Sequence, residues 1–487
     1  MAEIEFPFPF PEHLDLIMPE MILASMGLVV LMMSVFISKG RQQIVAWTSI
    51  ATIAVVAFSL VSVSGQEASM TFYGYFELDA FATYAKLLML LATGLAMFLS
   101  INYIKDLENV GEYYTLMLFS LLGMMLMVSA TNFVIMYLGL ELMALCIYVL
   151  VAYQRDVIRS TEAALKYFIL GALSSCMLLY GISFLYGSTS SFMYVEMGEI
   201  IAASGDDARL AVLTGMLFVL AGLAFKVSVA PFHMWTPDAY EGAPTPVTAF
   251  MSVVPKVAGL IVFIRILVDV LPGLQEEYTT LLIFLAVLSM AVGNIAAIAQ
   301  RNIKRMLAYS TIGHIGFILL GMIAGTSAGY SGILVYMTIY LFMTMGVFGI
   351  IIMMRRDNIQ GELLDDFAGL AKVRPGYALA MGLLMFSMAG IPFLGGFWAK
   401  YVVFIAVIEQ GHIILATLGV LFSAIGAFYY IRIIKYMYFD EERVAFNFGK
   451  GLPLQFTVVA STLIIVAVGI YPGPIMDICR AAVVGLI

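Results

Sequence analysis

The sequence predicts an all-α polytopic membrane protein with about fourteen transmembrane helices. Hydrophobic residues make up 62% of the 487 residues and charged residues only 11%, whereas about a quarter of the residues of a soluble domain are charged. Apolar runs of roughly 18 to 25 residues recur along the whole chain, and such a run is long enough to cross the hydrocarbon core of a bilayer as a helix. The opening segment is acidic and rich in proline, so we expect no cleavable signal peptide there.

The apolar runs place the helices, which we number 1 to 14 in chain order. They are predicted at residues 15–38, 43–63, 77–103, 112–130, 132–153, 160–186, 209–231, 246–269, 277–299, 302–325, 328–354, 375–408, 412–438 and 453–475. The polar segments between them are too short for a nucleotide-binding domain, and neither GxGxxG nor GxxxxGK[ST] follows a strand and opens a helix. An energy source must therefore lie in another subunit or in an ion gradient.

The distribution of basic residues predicts the orientation. Sixteen of the 24 lysine and arginine residues lie in alternate loops, which by the positive-inside rule face the cytoplasm, so both termini are expected on the outer side. These residues are Lys39, Arg41, Lys105, Arg155, Arg159, Arg301, Lys304, Arg305, Arg355, Arg356, Lys372, Arg374, Arg432, Lys435, Arg443 and Lys450.

Charged residues inside the predicted helices are the most informative feature of the chain. Glu141, Lys166, Lys226, Lys256 and Lys400 all fall within apolar runs. Because a charge at the bilayer centre costs about 3 kcal/mol or more, such residues usually mark an ion or proton path. Desolvation disfavours a lysine ammonium and a nearby carboxylate favours it, so a lysine whose carboxylate partner comes and goes is a proton switch. The alternative for each is an ion pair that only fixes helix packing.

Two further side chains fit less clearly into such a path. His314 lies within predicted helix 10, in AYSTIGHIGF, and histidine ionises near physiological pH. Lys86 lies early in predicted helix 3, where it is expected either to extend toward the membrane interface with Asp79 or Glu77 as its partner or to belong to the buried set.

Two of the predicted helices are interrupted. Helix 7 must break near Pro231, which follows Lys226, because proline lacks a backbone donor and clashes with the preceding turn. Helix 12 has Pro392, Gly395 and Gly396 shortly before Lys400. Broken helices in two halves of a chain are typical of transporters built from repeats.

The breaks predict two inverted five-helix repeats, made of helices 4–8 and 9–13. The first covers residues 112–269 and the second 277–438. They leave residues 1–111, with helices 1–3, and a last helix at 453–475, all within a single membrane domain.

Four segments carry a resemblance to a known family. They are STEAALKYFILGALSS (160–175), KVSVAPFHMWTPDAYEGAPTPVTAF (226–250), QRNIKRMLAYSTIGHIGF (300–317) and GIPFLGGFWAKYVVF (390–404). In order and spacing they resemble subunit N of the proton-translocating NADH–quinone oxidoreductase (respiratory complex I), an antiporter-like membrane subunit. The stretch after PF is the most discriminating, since the sister subunits M and L usually differ after PD.

The resemblance implies a role for each buried charge. Glu141 and Lys166 would be the charge-switching pair of helices 5 and 6, and Lys226 the central lysine of broken helix 7. Lys256 would lie on the central hydrophilic axis and Lys400 at the distal break. The resulting hypothesis is a relay in which protons pass from Lys226 along Lys256 and His314 to Lys400, driven by quinone reduction elsewhere. Pro255, directly before Lys256, departs from the family pattern and is expected to kink helix 8.

The resemblance also implies the surroundings of the chain. No cofactor is expected on it, and FMN and iron–sulfur clusters would belong to partner subunits. The expected partners are other complex I membrane subunits, including the adjacent antiporter-like subunit M and small membrane subunits, together with lipids and protons but no nucleic acid. A bacterial plasma membrane is favoured over the mitochondrial inner membrane.

Three other classes of protein remain open from the sequence. A subunit of a multisubunit Na⁺/H⁺ antiporter would share the fold and differ in its partners, and a structural scaffold would lack its own proton path. A haem protein would need paired membrane histidines, and of the four histidines, His13, His233, His314 and His412, only His314 lies well inside a predicted helix.

Overall fold

The computed structural model describes residues 12–37, 41–65, 69–105, 109–203, 206–354, 361–441 and 451–486. Within these ranges the chain is almost entirely helical, apart from a short antiparallel hairpin of β1 (Met70–Thr71) and β2 (Phe76–Glu77). The helices are α1 Met18–Phe36, α2 Gln43–Val63, α3 Ala80–Ser100, α4 Val110–Val128, α5 Phe133–Val151, α6 Ile158–Thr189, α7 Tyr194–Ala203, α8 Asp206–Val227, α9 Trp235–Gly242, α10 Thr245–Arg265, α11 Gln275–Ile298, α12 Ile303–Ala324, α13 Ser327–Met354, α14 Leu370–Val373, α15 Pro375–Ala389, α16 Gly395–Glu409, α17 Ile413–Phe439, α18 Leu452–Ile470 and α19 Gly473–Val483.

The helix lengths confirm the predicted class of polytopic membrane protein. Thirteen segments in the described part of the chain are long and apolar enough to cross a bilayer, and α15 is a shorter apolar helix. Together α15 and α16 form the broken helix predicted at 375–408, which accounts for the fourteenth crossing. Five of the basic residues used to predict the orientation lie outside the described residues, namely Lys39, Arg355, Arg356, Arg443 and Lys450.

Burial distinguishes a central group of helices from a peripheral one. Every residue of α10 is buried, and the most apolar stretches of α12 and α13 are almost completely buried. By contrast, α1, α6 and α17 expose one apolar side. The centre of the bundle is therefore built by the helices that carry Lys256 and His314.

The two ends of the bundle differ in charge. Arg159 at the start of α6 and Lys304 at the start of α12 both approach Glu362, at N–O distances of 3.6 and 2.7 Å. These contacts show that the loops predicted to be cytoplasmic lie together at one end of the helix bundle, which we call the basic face. The other end is called the opposite face.

The first break lies between α8 and α9, slightly earlier than predicted. Helix α8 ends at Val227, four residues before Pro231, because a proline ring clashes with the carbonyl four residues earlier and cannot donate to it. Ser228 then takes a left-handed φ of 68°. After α9, the chain enters α10 with Pro246 in the first turn, where its missing N–H is not needed.

The second break confirms the interruption predicted before Lys400. It covers residues 390–394, between α15 and α16, and Gly390 takes a left-handed φ of 88°. Gly396, the second residue of α16, lies so close to α15 that a Cβ there would lie 1.8 Å from the carbonyl oxygen of Ser387. Only glycine fits at this contact.

Several elements differ from the sequence prediction. Helix α10 continues through Pro255, as predicted, but ends at Arg265 and is followed by a π turn at Ile266–Val270. The kink expected at Pro255 stays a prediction. The segment 187–208, predicted as a polar connection, contains the end of α6 and the ten-residue helix α7. Helix α19 was also not predicted. The division into two repeats stays a prediction.

Candidate functional site

A carboxylate and an ammonium meet at one serine in the first half of the chain. Glu141 on α5 accepts a short hydrogen bond from the hydroxyl of Ser175 on α6. The ammonium of Lys226, in the last turn of α8, donates to the same hydroxyl at 3.3 Å. Lys226 is only 5% exposed. The structure therefore joins Glu141 to Lys226 through a single hydroxyl group.

Lys256 lies against the first break. Its ammonium donates to the backbone carbonyl of Lys226 at 3.2 Å and makes a short hydrogen bond to the hydroxyl of Ser228. It also lies 4.6 Å from the ring centroid of Trp235, the first residue of α9. Because Lys256 is completely buried, these contacts replace the water that an ammonium would otherwise need.

Hydroxyl and indole groups satisfy the remaining polar atoms of the first break. The indole N–H of Trp235 donates to the carbonyl of Phe225 at 3.0 Å, and the hydroxyl of Thr236 donates to Ser228 at 2.8 Å. The backbone N–H of Ala230 donates to the hydroxyl of Ser289 at 2.9 Å. Irregular backbone at membrane depth is tolerated only with such partners. The sequence prediction did not include these hydroxyls.

Lys166 has different partners from the one expected. Its ammonium lies 3.1 Å from Asp238 on α9 and 2.8 Å from Glu162 one turn earlier on α6. The predicted contact with Glu141 is not formed in the part of the chain that the structure describes. Lys166 is 47% exposed, and it lies nine residues, or about 13.5 Å of helix, from Ser175, where the Glu141 carboxylate is held. The structure therefore brings Glu141 to Lys226 and not to Lys166.

His314 lies in a cluster of tyrosines in the second half. Its Nδ1 is 2.6 Å from the hydroxyl of Tyr336 and its Nε2 is 3.0 Å from the hydroxyl of Tyr430. It is 3% exposed. In the neutral imidazole one nitrogen donates and the other accepts, so both ring atoms are satisfied. Among the described residues no direct hydrogen bond joins His314 to Lys256.

Lys400 occupies the second break as Lys256 occupies the first. Its ammonium donates to the carbonyls of Met388 and Ala389, at 3.2 and 2.9 Å, and to the hydroxyl of Ser423 at 2.8 Å. The ring centroid of Phe317, one turn beyond His314 on α12, lies 5.0 Å from it. The last carbonyls of a helix have no partner within the helix, so a lysine closes the end of a broken helix at both sites.

An ionic network covers the basic face, where the sequence predicts Arg159 and Arg305 only as loop residues. Asp238 and Glu241 on α9 both bind Arg305 at the start of α12, at 2.5 and 2.9 Å. Glu241 also binds Arg159 at 2.5 Å. Because α9 carries both carboxylates, this short helix joins α6 to α12.

At the opposite face the structure corrects the predicted partner of Lys86. Lys86 is fully buried and pairs with Glu20 of α1 at 2.6 Å. The expected partners, Asp79 and Glu77, lie 2.7 and 3.7 Å from the buried guanidinium of Arg265. The ion pair of Lys86 therefore links α1 to α3 within the bundle and does not extend to the interface.

Metal ligands do not cluster in the described ranges: no three His, Cys, Asp or Glu side chains come together there in a group that could hold an ion.

Known proteins resemble this chain over almost its whole length. Residues 130–426 match the family model described as NADH:quinone oxidoreductase/Mrp antiporter, TM. NADH-quinone oxidoreductase subunit N of Paramagnetospirillum magneticum is 46% identical over 96% of this chain and 97% of its own length. The same subunit of Thioalkalivibrio sulfidiphilus is 43% identical over 98% of this chain and 99% of its own length.

Solved structures of related complexes contain chains with the same fold. A chain of respiratory complex I from Thermus thermophilus with bound aureothin has a TM-score of 0.81 at 29% identity, covering 94% of this chain and 98% of that one. A chain of the Mrp complex from Dietzia has a TM-score of 0.80 at 21% identity, covering 97% and 98%, and shows the fold alone. The fold and the matched model define an antiporter-like membrane subunit. The chain belongs to the family of NADH-quinone oxidoreductase subunit N, the antiporter-like membrane subunit of H⁺-translocating complex I.

Proposed function

We propose that this chain moves protons through a relay of buried side chains, driven by quinone reduction elsewhere in the complex. The relay consists of Glu141, Lys166, Lys226, Lys256, His314 and Lys400. The observation that carries the proposal is the contact of Glu141 with the Lys226 ammonium through Ser175, together with the placement of Lys256 on the backbone carbonyl of the same Lys226, in helices that are otherwise apolar.

The first transfer takes place at Ser175. A hydroxyl donates one proton and accepts another, so Ser175 can receive a proton from the Lys226 ammonium while giving its own to the Glu141 carboxylate. Lys226 and Glu141 then both become neutral, which removes two charges from a buried region. The reverse transfer restores both charges when the surroundings favour them.

Lys256 is the next group because it is bound to the backbone of Lys226. Its ammonium is held by the Lys226 carbonyl and by Ser228, both of which favour its charged form. Any shift of the broken backbone changes these contacts and therefore the affinity of Lys256 for its proton.

The second half of the relay is centred on His314. Its two nitrogens contact Tyr336 and Tyr430, and an imidazole can accept a proton at one nitrogen while releasing one at the other. Phe317 lies between His314 and Lys400. Its ring centroid is 6.5 Å from the ring centroid of His314 and 5.0 Å from the ammonium of Lys400. Transfer from Lys256 to His314 needs water or side-chain rotation, since no hydrogen bond joins them in the described ranges.

The switch that drives the relay is an exchange of partners by Lys166. The hydroxyl of Ser160 on α6 donates to the carbonyl of Val151 at the end of α5, which sets these two residues at one level. From there Glu141 lies about 15 Å along α5 and Lys166 about 9 Å along α6, so about 6 Å separates their backbones along the helix direction. Rotation of the Glu141 side chain away from Ser175 and of Lys166 away from Asp238 would pair them. Lys226 would then lose its link to the carboxylate, and its proton would be easier to release.

The wider setting belongs to the same proposal. The chain would lie in the bacterial plasma membrane with both termini on the periplasmic side, beside subunit M and small membrane subunits. FMN and iron–sulfur clusters would be held by other subunits, with none on this chain.

The relay is tested by Lys226→Ala, with Lys372→Ala as the matched control because Lys372 is an exposed lysine of α14. We expect both complexes to assemble and only Lys226→Ala to lose NADH–quinone turnover and proton pumping, by about tenfold or more. Full pumping by Lys226→Ala in sealed vesicles would refute the relay.

A further inference from the structure

One carboxylate on α9 is shared between the two halves of the chain. Oδ2 of Asp238 lies 3.1 Å from the ammonium of Lys166 on α6, and Oδ1 lies 2.5 Å from the guanidinium of Arg305 on α12. Because each oxygen serves a different cation, Asp238 can give up Lys166 and keep Arg305. Arginine remains charged at all physiological pH values, so the released carboxylate would not be left unpaired.

The same short helix contacts the central lysine. Trp235, one turn before Asp238, lies 4.6 Å from the Lys256 ammonium. Its indole stacks on Tyr167 of α6 with ring centroids 4.1 Å apart and an angle of 10° between the planes. Helix α9 therefore contacts α6 next to Lys166 at two points and contacts Lys256 at a third.

Irregular backbone bounds α9 at both ends. The helix has eight residues and lies between the break at residues 228–234 and the bend at Ala243 and Pro244. Its side-chain hydrogen bonds to the break involve Trp235 and Thr236. Its ionic contacts run to α6 and α12. Trp235 and Asp238 lie one turn apart, so the Asp238 contact with Lys166 and the Trp235 contact with Lys256 are joined through a single turn of helix.

We propose that Asp238 is a positioning residue that holds Lys166 away from Glu141, and that α9 transmits the release of Lys166 to Lys256 and to α12. This inference rests on the proposed relay. In the present state Lys166 pairs with Asp238 across the helices and with Glu162 on its own helix, and Glu141 binds Ser175. When Lys166 leaves, the full charge of Asp238 acts on Arg305, and α9 shifts with Trp235 against Lys256. Arg305 lies nine residues, or about 13.5 Å of helix, from His314 on α12.

Glu241 offers a matched comparison on the same helix. It binds Arg305 and Arg159 but makes no ion pair with Lys166. Asp238→Asn removes the carboxylate shared with Lys166 and nearly preserves the shape of the side chain. Glu241→Gln removes a carboxylate from the same ionic network without touching Lys166.

The experiment measures assembled complex on native gels, and NADH–quinone turnover and proton pumping in vesicles per assembled complex. We expect Asp238→Asn to assemble and to lose about fivefold or more in turnover and pumping, at the lower end of usual coupling energies. Asp238→Glu should recover at least half of that loss, and Glu241→Gln should stay within about twofold of the native chain. The double variant Asp238→Asn with Lys166→Ala should be no worse than Lys166→Ala alone, because Asp238 acts through Lys166.

Several outcomes would overturn the inference. Asp238→Asn would overturn it by keeping native turnover and pumping or by failing to assemble. So would a loss of turnover in Glu241→Gln as large as that in Asp238→Asn, or no recovery of turnover in Asp238→Glu. A double variant whose turnover falls by the product of the two single losses would also overturn it. Lys166→Ala separates this failure from that of the relay. If Lys166→Ala keeps full pumping, the role of Lys166 in the relay is wrong. If it is inactive while Asp238→Asn is native, only the role of Asp238 is wrong.

Discussion

Lys256 donates a hydrogen bond to the backbone carbonyl of Lys226, 3.2 Å away. This carbonyl lies in the last turn of α8, where a helix has acceptors without partners of its own. Lys400 makes the same kind of contact with Met388 and Ala389 at the end of α15. At both breaks, therefore, one lysine carries the charge and also completes the hydrogen bonding of the backbone.

A first prediction follows for Lys256. Lys256→Met keeps most of the side-chain volume but leaves the Lys226 carbonyl without its donor and the Ser228 hydroxyl with Thr236 as its donor. We expect a loss of about 1–3 kcal/mol in the stability of the chain and a fall in NADH–quinone turnover of about tenfold or more. The thermal midpoint and the turnover of the purified complex measure the two effects. Lys372→Met is the control, and a native turnover in Lys256→Met would contradict the prediction.

The breaks were predictable because proline and glycine act on the backbone locally. Pro231 ends α8 at Val227 through the geometry of its own ring, and Gly390 and Gly396 mark the second break in the same way. The lysines next to the breaks are also visible in the sequence, because each is a charged residue within an apolar run. These features depend on a few neighbouring residues, and the sequence contains all of them.

The partners of the charges were not predictable because they are distant in sequence. Lys86 was assigned to Asp79 or Glu77, its nearest acidic neighbours, but the packing of α1 against α3 brings Glu20 to it. Ser175 links Glu141 to Lys226, yet nothing in the sequence distinguishes it from other membrane serines. Asp238 was visible in the PDAYEG stretch, but its contacts with Lys166 and Arg305 depend on how three helices meet.

A second prediction concerns Gly390, next to Lys400. A Cβ at Gly390 would lie 3.0 Å from Cδ and 3.2 Å from Nζ of Lys400, and the φ of 88° disfavours a side chain. We expect Gly390→Ala to cost about 1–2 kcal/mol in backbone strain and to displace the ammonium, lowering turnover severalfold. Gly382→Ala on α15, the helix that Gly390 follows, is the control, since a Cβ there meets nothing within 4 Å. Equal turnover in the two variants would show that the Lys400 position tolerates the added methyl group.

A third prediction concerns the buried pair of Glu20 and Lys86. Removing one partner of a buried ion pair costs about 3–5 kcal/mol, whereas replacing both by apolar residues can be neutral. We expect Lys86→Met to reduce the amount of assembled complex and Glu20→Leu with Lys86→Met to restore it, with turnover per assembled complex unchanged throughout. Assembly is measured on native gels. A double variant as defective as the single one would exclude this account, and a loss of turnover in the restored complex would assign the pair to the proton path.

A fourth prediction concerns Glu77 in β2, outside the membrane-spanning segments. Burial raises the pKa of Glu77, and the repulsion of Asp79 and Asp269 adds to it, although Arg265 acts in the opposite direction. Since the pKa of the folded state lies above that of the unfolded chain, the stability that Glu77 contributes is present below the unfolded value, about 4.3, and is lost as the pH rises through the folded value. Glu77→Gln should therefore raise the thermal midpoint of the chain at pH 7.5 and change it little near pH 4.5.

Asp79 provides the contrasting variant for this test. Its carboxylate caps α3 by accepting from the N–H of Ala82 at 2.7 Å and pairs with Arg265 at 2.7 Å. Asp79→Ala loses the cap, worth about 1 kcal/mol, and leaves the buried guanidinium with the Val128 carbonyl at 3.2 Å and the more distant Glu77 at 3.7 Å. It should lower the thermal midpoint at pH 7.5, where Glu77→Gln raises it. A lower midpoint in both variants would show that the Arg265–Glu77 contact stabilises the fold more than the burial of Glu77 costs.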